Sequence, residues 1–353
     1  MRAESALQAA KPPRNSIYAR PTTKRAGSTY LSHSNSQNFA SPSCGVSKSR
    51  SKAVSASLAS PRHVNVSKRS PNTLLALEFQ RRRQLQVISL ERQARTLLEE
   101  EYRDDVKSYM HQMESLTMGS ATSIDMQPEL QWSMRVCLIE FLIEVHMSFR
   151  LRPETLYLTC NIVDRYVSRR VVYKKHYQLV GCAALWIAAK FEDAKERVPT
   201  VHDLREICRD TYDEAAFIQM EGHVLATIAW KVGHPTAEAW LRLACTGVCF
   251  EDLQTQHVAR FLMEITLFYR DFVSFKPSVI AGAALLLARY ILGKQRRPFE
   301  ETEPVLAVIQ ILDSYLAERL NQVSQMIVKK YSYSYFSKAS TLVCQYYLQG
   351  GRY

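Results

Sequence analysis

A chain of 353 residues, 46% hydrophobic and 23% charged, is long enough to bury one or two ordinary cores and to carry an unstructured extension besides. Its longest strictly apolar run, Val279 to Ala288, is about half of the roughly 20 residues a bilayer crossing needs; no apolar signal-peptide core follows the N-terminal charges, so neither a membrane-spanning nor a secreted protein is expected. The formal charge of +12 sits in one place: residues 1–95 hold 17 Lys and Arg against 3 Asp and Glu, leaving 29 against 31 beyond them, and a nearly neutral folded part has no whole-domain field to gather phosphate backbones.

In chain order, residues 1–89 read as a disordered basic tail. Sixteen serines fall before residue 73, with basic pairs such as Lys24-Arg25 and almost no clustered large apolar residues, too little burial to offset the ordering entropy. The steps Ser41-Pro42, Ser60-Pro61 and Ser70-Pro71 suit proline-directed kinases, and Arg81-Arg82-Arg83 suits nuclear import, so nucleus and cytoplasm are the expected compartments. Residues 90–117 form a predicted docking helix, because Leu98, Tyr102, Val106, Tyr109 and Met113 recur at helical spacing on a charged background. After Met118-Gly119-Ser120, helix patterns run to the C-terminus without a convincing alternating strand, and the predicted fold class is all-α.

Several helix starts have a mechanism. Pro153 stands in a first turn with Glu154 behind it, Thr200 and Asp203 have capping-box spacing, and Asp213 can cap the helix carrying Phe217 to Ile228. Pro235 and Thr236 open a new element after Gly233, which divides a module at 128–234 from one at 235–348. Gly181 to Ala189 overlays Ala281 to Arg289 with a constant offset, and both segments are apolar nearly all round; each is predicted to be the central helix of its module. The cysteines are scattered, and Cys137, Cys160, Cys182 and Cys208 sit among apolar residues, as reduced, buried thiols do.

No phosphate-binding glycine loop, His-Glu-x-x-His or Cys-x-x-Cys appears, and Cys245, Cys249 and His257 are too few and too irregularly spaced for zinc. The chain is therefore read as a binding protein, with no enzymatic activity, cofactor or metal expected. Arg135 shares an apolar stripe with Ile139 and Leu142 and requires a buried partner, for which Asp164 is the candidate. Lys190, closing the first central helix, and Glu221, on a stripe with Ile218 and Leu225, are either a second internal ion pair or a contact for a partner. Met134, Leu138 and Phe141, edged by Glu140 and Glu144, are either plain core or a shallow acidic-rimmed groove for a peptide with basic and apolar side chains.

The stretch Met134-Arg135-Val136-Cys137-Leu138-Ile139-Glu140-Phe141 resembles the opening helix of the cyclin box. Pro153-Glu154-Thr155-Leu156-Tyr157-Leu158, Asp164-Arg165-Tyr166, Tyr177-Gln178-Leu179-Val180-Gly181, Ala188-Ala189-Lys190-Phe191-Glu192-Asp193 and Met220-Glu221 follow in the family's order and spacing. Phe275-Lys276-Pro277-Ser278 and Lys330-Tyr331 resemble the C-terminal cyclin fold more loosely. The resemblance implies two five-helix lobes behind a docking helix, and a protein that binds and allosterically activates a cyclin-dependent kinase. It implies kinase binding by Lys190, Glu221, Phe191 and Leu225, a structural Arg135–Asp164 pair, and a groove of Met134, Leu138, Phe141, Glu144 and Gln178 for substrates or inhibitors with Arg-x-Leu-type docking peptides. Phe141 departs from the family, where many members have Trp.

Trp186 and Lys190 to Thr200 look like fungal G1-type cyclins, which implies action at the G1/S transition, whereas the Met-Arg opening is equally at home in mitotic B-type cyclins. Arg82-x-x-Leu85 and Arg95-x-x-Leu98 have the form of destruction boxes, for which a ubiquitin ligase is the implied partner. A cyclin serving a transcriptional kinase is one rival. A transcription-factor-like double-lobe protein that binds DNA is another; it would need a basic folded surface and a zinc ribbon, so neither nucleic acid nor membrane is an expected partner.

Overall fold

The structure is a computed structural model that describes residues 101–245 and 251–353. The tail, its Ser-Pro steps, Arg81-Arg82-Arg83, both Arg-x-x-Leu sequences and Cys249 lie outside the described residues. Within them every regular element is helical, and no helix is long and apolar enough to cross a membrane.

The order is α1 (Arg103–Leu116), a short α2 (Ala121–Asp125), then α3 (Trp132–Ser148), α4 (Pro153–Val167), α5 (Tyr177–Glu192), α6 (Val201–Ile207) and α7 (Glu214–Thr227). The second set is α8 (Ala237–Ala244), α9 (Leu253–Thr266), α10 (Pro277–Ile291), α11 (Glu303–Arg319), α12 (Gln325–Ser332) and α13 (Ala339–Leu348). Helix α5 packs on α3, α4 and α7, and α10 on α8, α9 and α11, so each lobe is wrapped on one central helix. Both central helices are buried over most of their length, which is why they are apolar on every side. Small residues let their neighbours approach: a Cβ added at Gly181 would stand 2.7 Å from Leu138 Cδ1 of α3.

Helix boundaries follow side-chain chemistry. Pro153 occupies the first turn of α4, and Asp213 caps α7 by accepting the Ala216 N–H at 2.7 Å. At α6 the Thr200 Oγ1 accepts the Asp203 N–H at 3.2 Å while Asp203 Oδ2 accepts the Thr200 N–H at 2.7 Å, a reciprocal box that satisfies two otherwise unpaired donors. Thr200→Ala should lower stability by about 1 kcal/mol, read as a shift in the urea midpoint with an unchanged slope.

Of the helix expected over 90–117, residues 90–100 with Leu98 lie outside the described residues, and α1 does not pack on the lobes through Tyr102, Val106 and Tyr109. Tyr102, Val106 and Tyr109 are all at least half exposed; Met110 packs on the core instead, and Glu114 is fully buried. The Glu114 carboxylate accepts the Ser278 N–H at 3.1 Å and the Ser278 Oγ–H at 2.9 Å, and so caps α10 from a distant part of the chain, where the helix dipole favours an anion. His111 lies against Trp240, ring centroids 4.5 Å apart and planes tilted by 38°, and the Thr117 carbonyl accepts Asn161 Nδ2–H at 2.8 Å. The helix therefore staples one lobe to the other.

Arg135 and Asp164 meet in a buried two-pronged ion pair, with Arg135 Nη2–H donating to Asp164 Oδ2 at 3.0 Å and the second prong joining Nη1 to Oδ1. Arg135 Nε–H donates at 2.9 Å to the Leu267 carbonyl at the end of α9, so the guanidinium ties α3 to α4 and also to the second lobe. Burial opposes its charge, but the Asp164 carboxylate beside it outweighs burial and holds the guanidinium charged, above the usual arginine range.

Between the lobes His234 is hydrogen-bonded through Nδ1 to Thr117 Oγ1 at 2.7 Å. Burial, aided by the Arg165 charge, pushes its pKa down to about 3. Below the unfolded-state value of about 6.5 the unfolded chain takes up a proton that the folded chain refuses, so stability falls as the pH drops from there toward 3. His234→Gln should flatten that decline in urea midpoints measured between pH 7 and 5.

Candidate functional site

Helix α5 leaves the core at its C-terminal end, and the residue that emerges is Lys190. Its Nζ–H donates to Glu221 Oε1 of α7 at 2.6 Å and stands 3.2 Å from the centre of the Trp186 ring. The two side chains keep 41% and 17% of their surface, so Lys190 and Glu221 pair with each other and both remain open to solvent. On the same helices Phe191 and Ile218 are each 56% exposed, while Leu225 is half-buried against the core. Helical spacing places Ile218 on an apolar stripe with Glu221; the core face of α7 is instead Phe217 and Val224, which turns Ile218 and Glu221 outward.

Magnitudes separate a structural from a recognition role here. An exposed lysine–carboxylate pair adds about 0–1 kcal/mol to stability, and a cation over an accessible aromatic face about 0.5–1 kcal/mol. Neither explains why two large apolar side chains accompany the pair in water. A charged pair accompanied by exposed apolar side chains is the combination from which protein-binding patches are built, where exclusion of water strengthens both contributions.

A second feature is an open cleft lined by Phe141, Glu144, Gln178, Ile207, Cys208 and Arg209, among others. It brings together three of the five groove positions. Met134 is half-buried against the core, and Leu138 is only 6% exposed beneath the Gly181 approach, so Leu138 belongs to the packing of α3 on α5. Glu140, read as part of the acidic rim, accepts a hydrogen bond from Ser324 Oγ at 2.6 Å; Glu144 stays exposed. Sequence reasoning missed Arg209, a cation at the cleft wall, whose left-handed backbone (φ 51) has no glycine to announce it.

Of the three residues judged too few and too irregular for zinc, Cys249 lies outside the described residues, Cys245 is buried and His257 Nδ1 is hydrogen-bonded to Ser337 Oγ at 3.0 Å. Among the described residues no group of three potential ligands converges.

Fold and site define a tandem-lobe helical protein whose accessible features include an ion pair accompanied by exposed apolar side chains and an open cleft. The model of the cyclin N-terminal domain matches residues 105–233 and that of the cyclin C-terminal domain residues 235–345, and the chain belongs to the cyclin family. It is 46% identical over 220 residues to the G1/S-specific cyclin CCN1 of Candida albicans, a match covering 57% of this chain and 32% of that protein. It is 34% identical over 259 residues to the G2/mitotic-specific cyclin-B of Emericella nidulans, covering 71% and 53%. A solved viral cyclin from herpesvirus saimiri superposes with a TM-score of 0.49 at 20% identity, covering 69% of this chain and 96% of that one. The chain thus spans about a third to a half of the length of these curated relatives.

Proposed function

We propose that this chain is the regulatory subunit of a cyclin-dependent kinase, which it binds and activates allosterically to drive the G1/S transition. The observation that carries the reading is the solvent-accessible Lys190–Glu221 pair, accompanied on the same helices by the exposed side chains of Phe191 and Ile218. In a kinase whose active and inactive forms are near balance, a partner that binds the active form preferentially shifts the population by its differential affinity alone. The chain then supplies binding energy and the kinase supplies every catalytic group. Lys190 and Glu221 each offer one charge to the partner, and the exposed apolar side chains exclude water from those contacts.

The cleft at Phe141, Glu144 and Gln178 serves, in this reading, to hold Arg-x-Leu-type docking peptides of substrates or inhibitors, with the exposed Glu144 carboxylate facing their basic residue. A ubiquitin ligase that ends the activity and residence in nucleus and cytoplasm complete the proposal. The 46% identity to a G1/S-specific cyclin favours that stage; the longer match to a mitotic cyclin, over 71% of the chain, favours the second reading, a mitotic role.

Purification of the chain from synchronised cells tests the proposal. A cyclin-dependent kinase should accompany it, with protein kinase activity appearing as cells leave G1. Recovery of the chain without a kinase at any stage would sink the reading, and recovery of active complex only in mitosis would select the second one.

A further inference from the structure

Two thiols lie side by side in the first lobe. Cys182 of α5 and Cys208 at the C-terminal end of α6 have sulfurs 3.4 Å apart, within a small core of Leu179, Trp186, Leu204 and Phe217. Cys182 is enclosed by α5's neighbours, whereas Cys208 is also part of the wall of the cleft that holds Phe141, Glu144 and Gln178. Both thiols are buried, at 1% and 2% exposure, and of the two it is Cys208 that lies at the cleft wall.

We propose that Cys182 and Cys208 form a reversible dithiol–disulfide modification site, oxidised by a hydroperoxide that reaches Cys208 through the cleft. A disulfide needs the sulfurs at about 2.0 Å, an approach of about 1.4 Å from their present separation. Helix α6 has only seven residues and is followed by two residues, Arg209 and Asp210, in left-handed conformation, so it can shift toward α5 without unwinding a long element. The hydrogen bond from Cys182 holds the Cys208 thiol below the usual cysteine range, against the effect of burial, which favours the thiolate at Cys208.

The chemistry balances in two steps. The Cys208 thiolate attacks the hydroperoxide, the O–O bond breaks, and Cys208 becomes a sulfenic acid as the peroxide's other oxygen leaves as hydroxide or alkoxide. Cys182 then attacks the Cys208 sulfur, the S–S bond forms, and the S–O bond breaks with hydroxide leaving to take the Cys182 proton as water. Two thiols are oxidised, one peroxide is reduced, and a reducing thiol restores the pair.

Movement of α6 draws Ile207, Cys208 and Arg209 together, and with them one wall of the cleft. Resting on the docking role proposed above, oxidation should weaken binding of an Arg-x-Leu-type peptide several-fold.

The test is hydrogen peroxide titration of the full chain, followed by alkylation of remaining thiols under denaturing conditions and peptide mass mapping. A linked Cys182–Cys208 peptide should accumulate, lacking two hydrogens and lost again on treatment with dithiothreitol. In Cys182→Ala, Cys208 should instead be trapped as a sulfenic acid by dimedone. The exposed Cys137 is the internal standard: if it is consumed while Cys182 and Cys208 are both recovered fully alkylated, or if either links to a different cysteine, the proposal is overturned. Failure of the reduced chain to bind the peptide would fault the docking role alone, because the mapping judges the thiol pair independently.

Discussion

Asp164→Ala should destabilise the fold by about 3–5 kcal/mol, the usual cost of leaving one member of a buried ion pair without its partner. The charge left behind is Arg135, whose remaining anchor is the Leu267 carbonyl at 2.9 Å, and a guanidinium nearly sealed from water cannot be discharged at any ordinary pH. Urea denaturation should show the midpoint falling steeply. Replacing both partners together, Arg135→Met with Asp164→Leu, should recover most of the loss, because an apolar pair of similar volume removes the uncompensated charge. What the double variant cannot restore is the bond across to the second lobe. A loss of less than about 1 kcal/mol in Asp164→Ala would show that water reaches the guanidinium and that the pair is not the lobe-to-lobe tie described here.

The second large effect is expected in binding. If they form the proposed kinase contact, Lys190→Ala and Glu221→Ala should each weaken the complex about 30-fold, or about 2 kcal/mol, while lowering the chain's own stability by no more than about 1 kcal/mol. The contrast rests on exposure: with 41% of the Lys190 side chain accessible in the free chain, water replaces a lost partner at little cost. In the proposed complex that water would be excluded, and truncation would leave the facing group of the kinase unpaired. Calorimetric titration against the kinase, alongside thermal melts of each variant, measures both numbers. Melting temperatures that collapse while affinity is unchanged would mean that the pair holds α5 to α7 and grips nothing else.

Features carried by neighbouring residues were legible in the sequence. The two central helices announce themselves because burial on all sides demands apolar residues at every position, and the α6 cap because Thr200 and Asp203 satisfy each other's backbone within four residues. The Arg135–Asp164 contact was also readable, since a guanidinium on an apolar stripe has few ways to be tolerated. Features decided by distant packing were not. Periodicity gave α1 an apolar stripe but could not say which face meets the protein; the face is chosen by Glu114 reaching the start of α10, a partner 164 residues away. The same limit explains Ile218, which lies on a helical apolar pattern yet faces water, and Glu140, whose rim position is taken by Ser324 of the other lobe. Leu138 and Phe141 recur on one side of α3, but the close approach at Gly181 swallows the first and leaves the second at the cleft. Arg209 reached the cleft wall through a backbone conformation that its residue type gives no reason to expect.

The most direct measurement of the central claim is a titration of the purified full chain into a monomeric, inactive cyclin-dependent kinase, with phosphate transfer to a generic peptide as the readout. Activity should rise by orders of magnitude and saturate at one chain per kinase, with Glu221→Ala displacing the curve to higher concentration and leaving its plateau in place. A chain that binds the kinase without raising its activity, or a Glu221→Ala curve that overlays the wild type, would contradict the account.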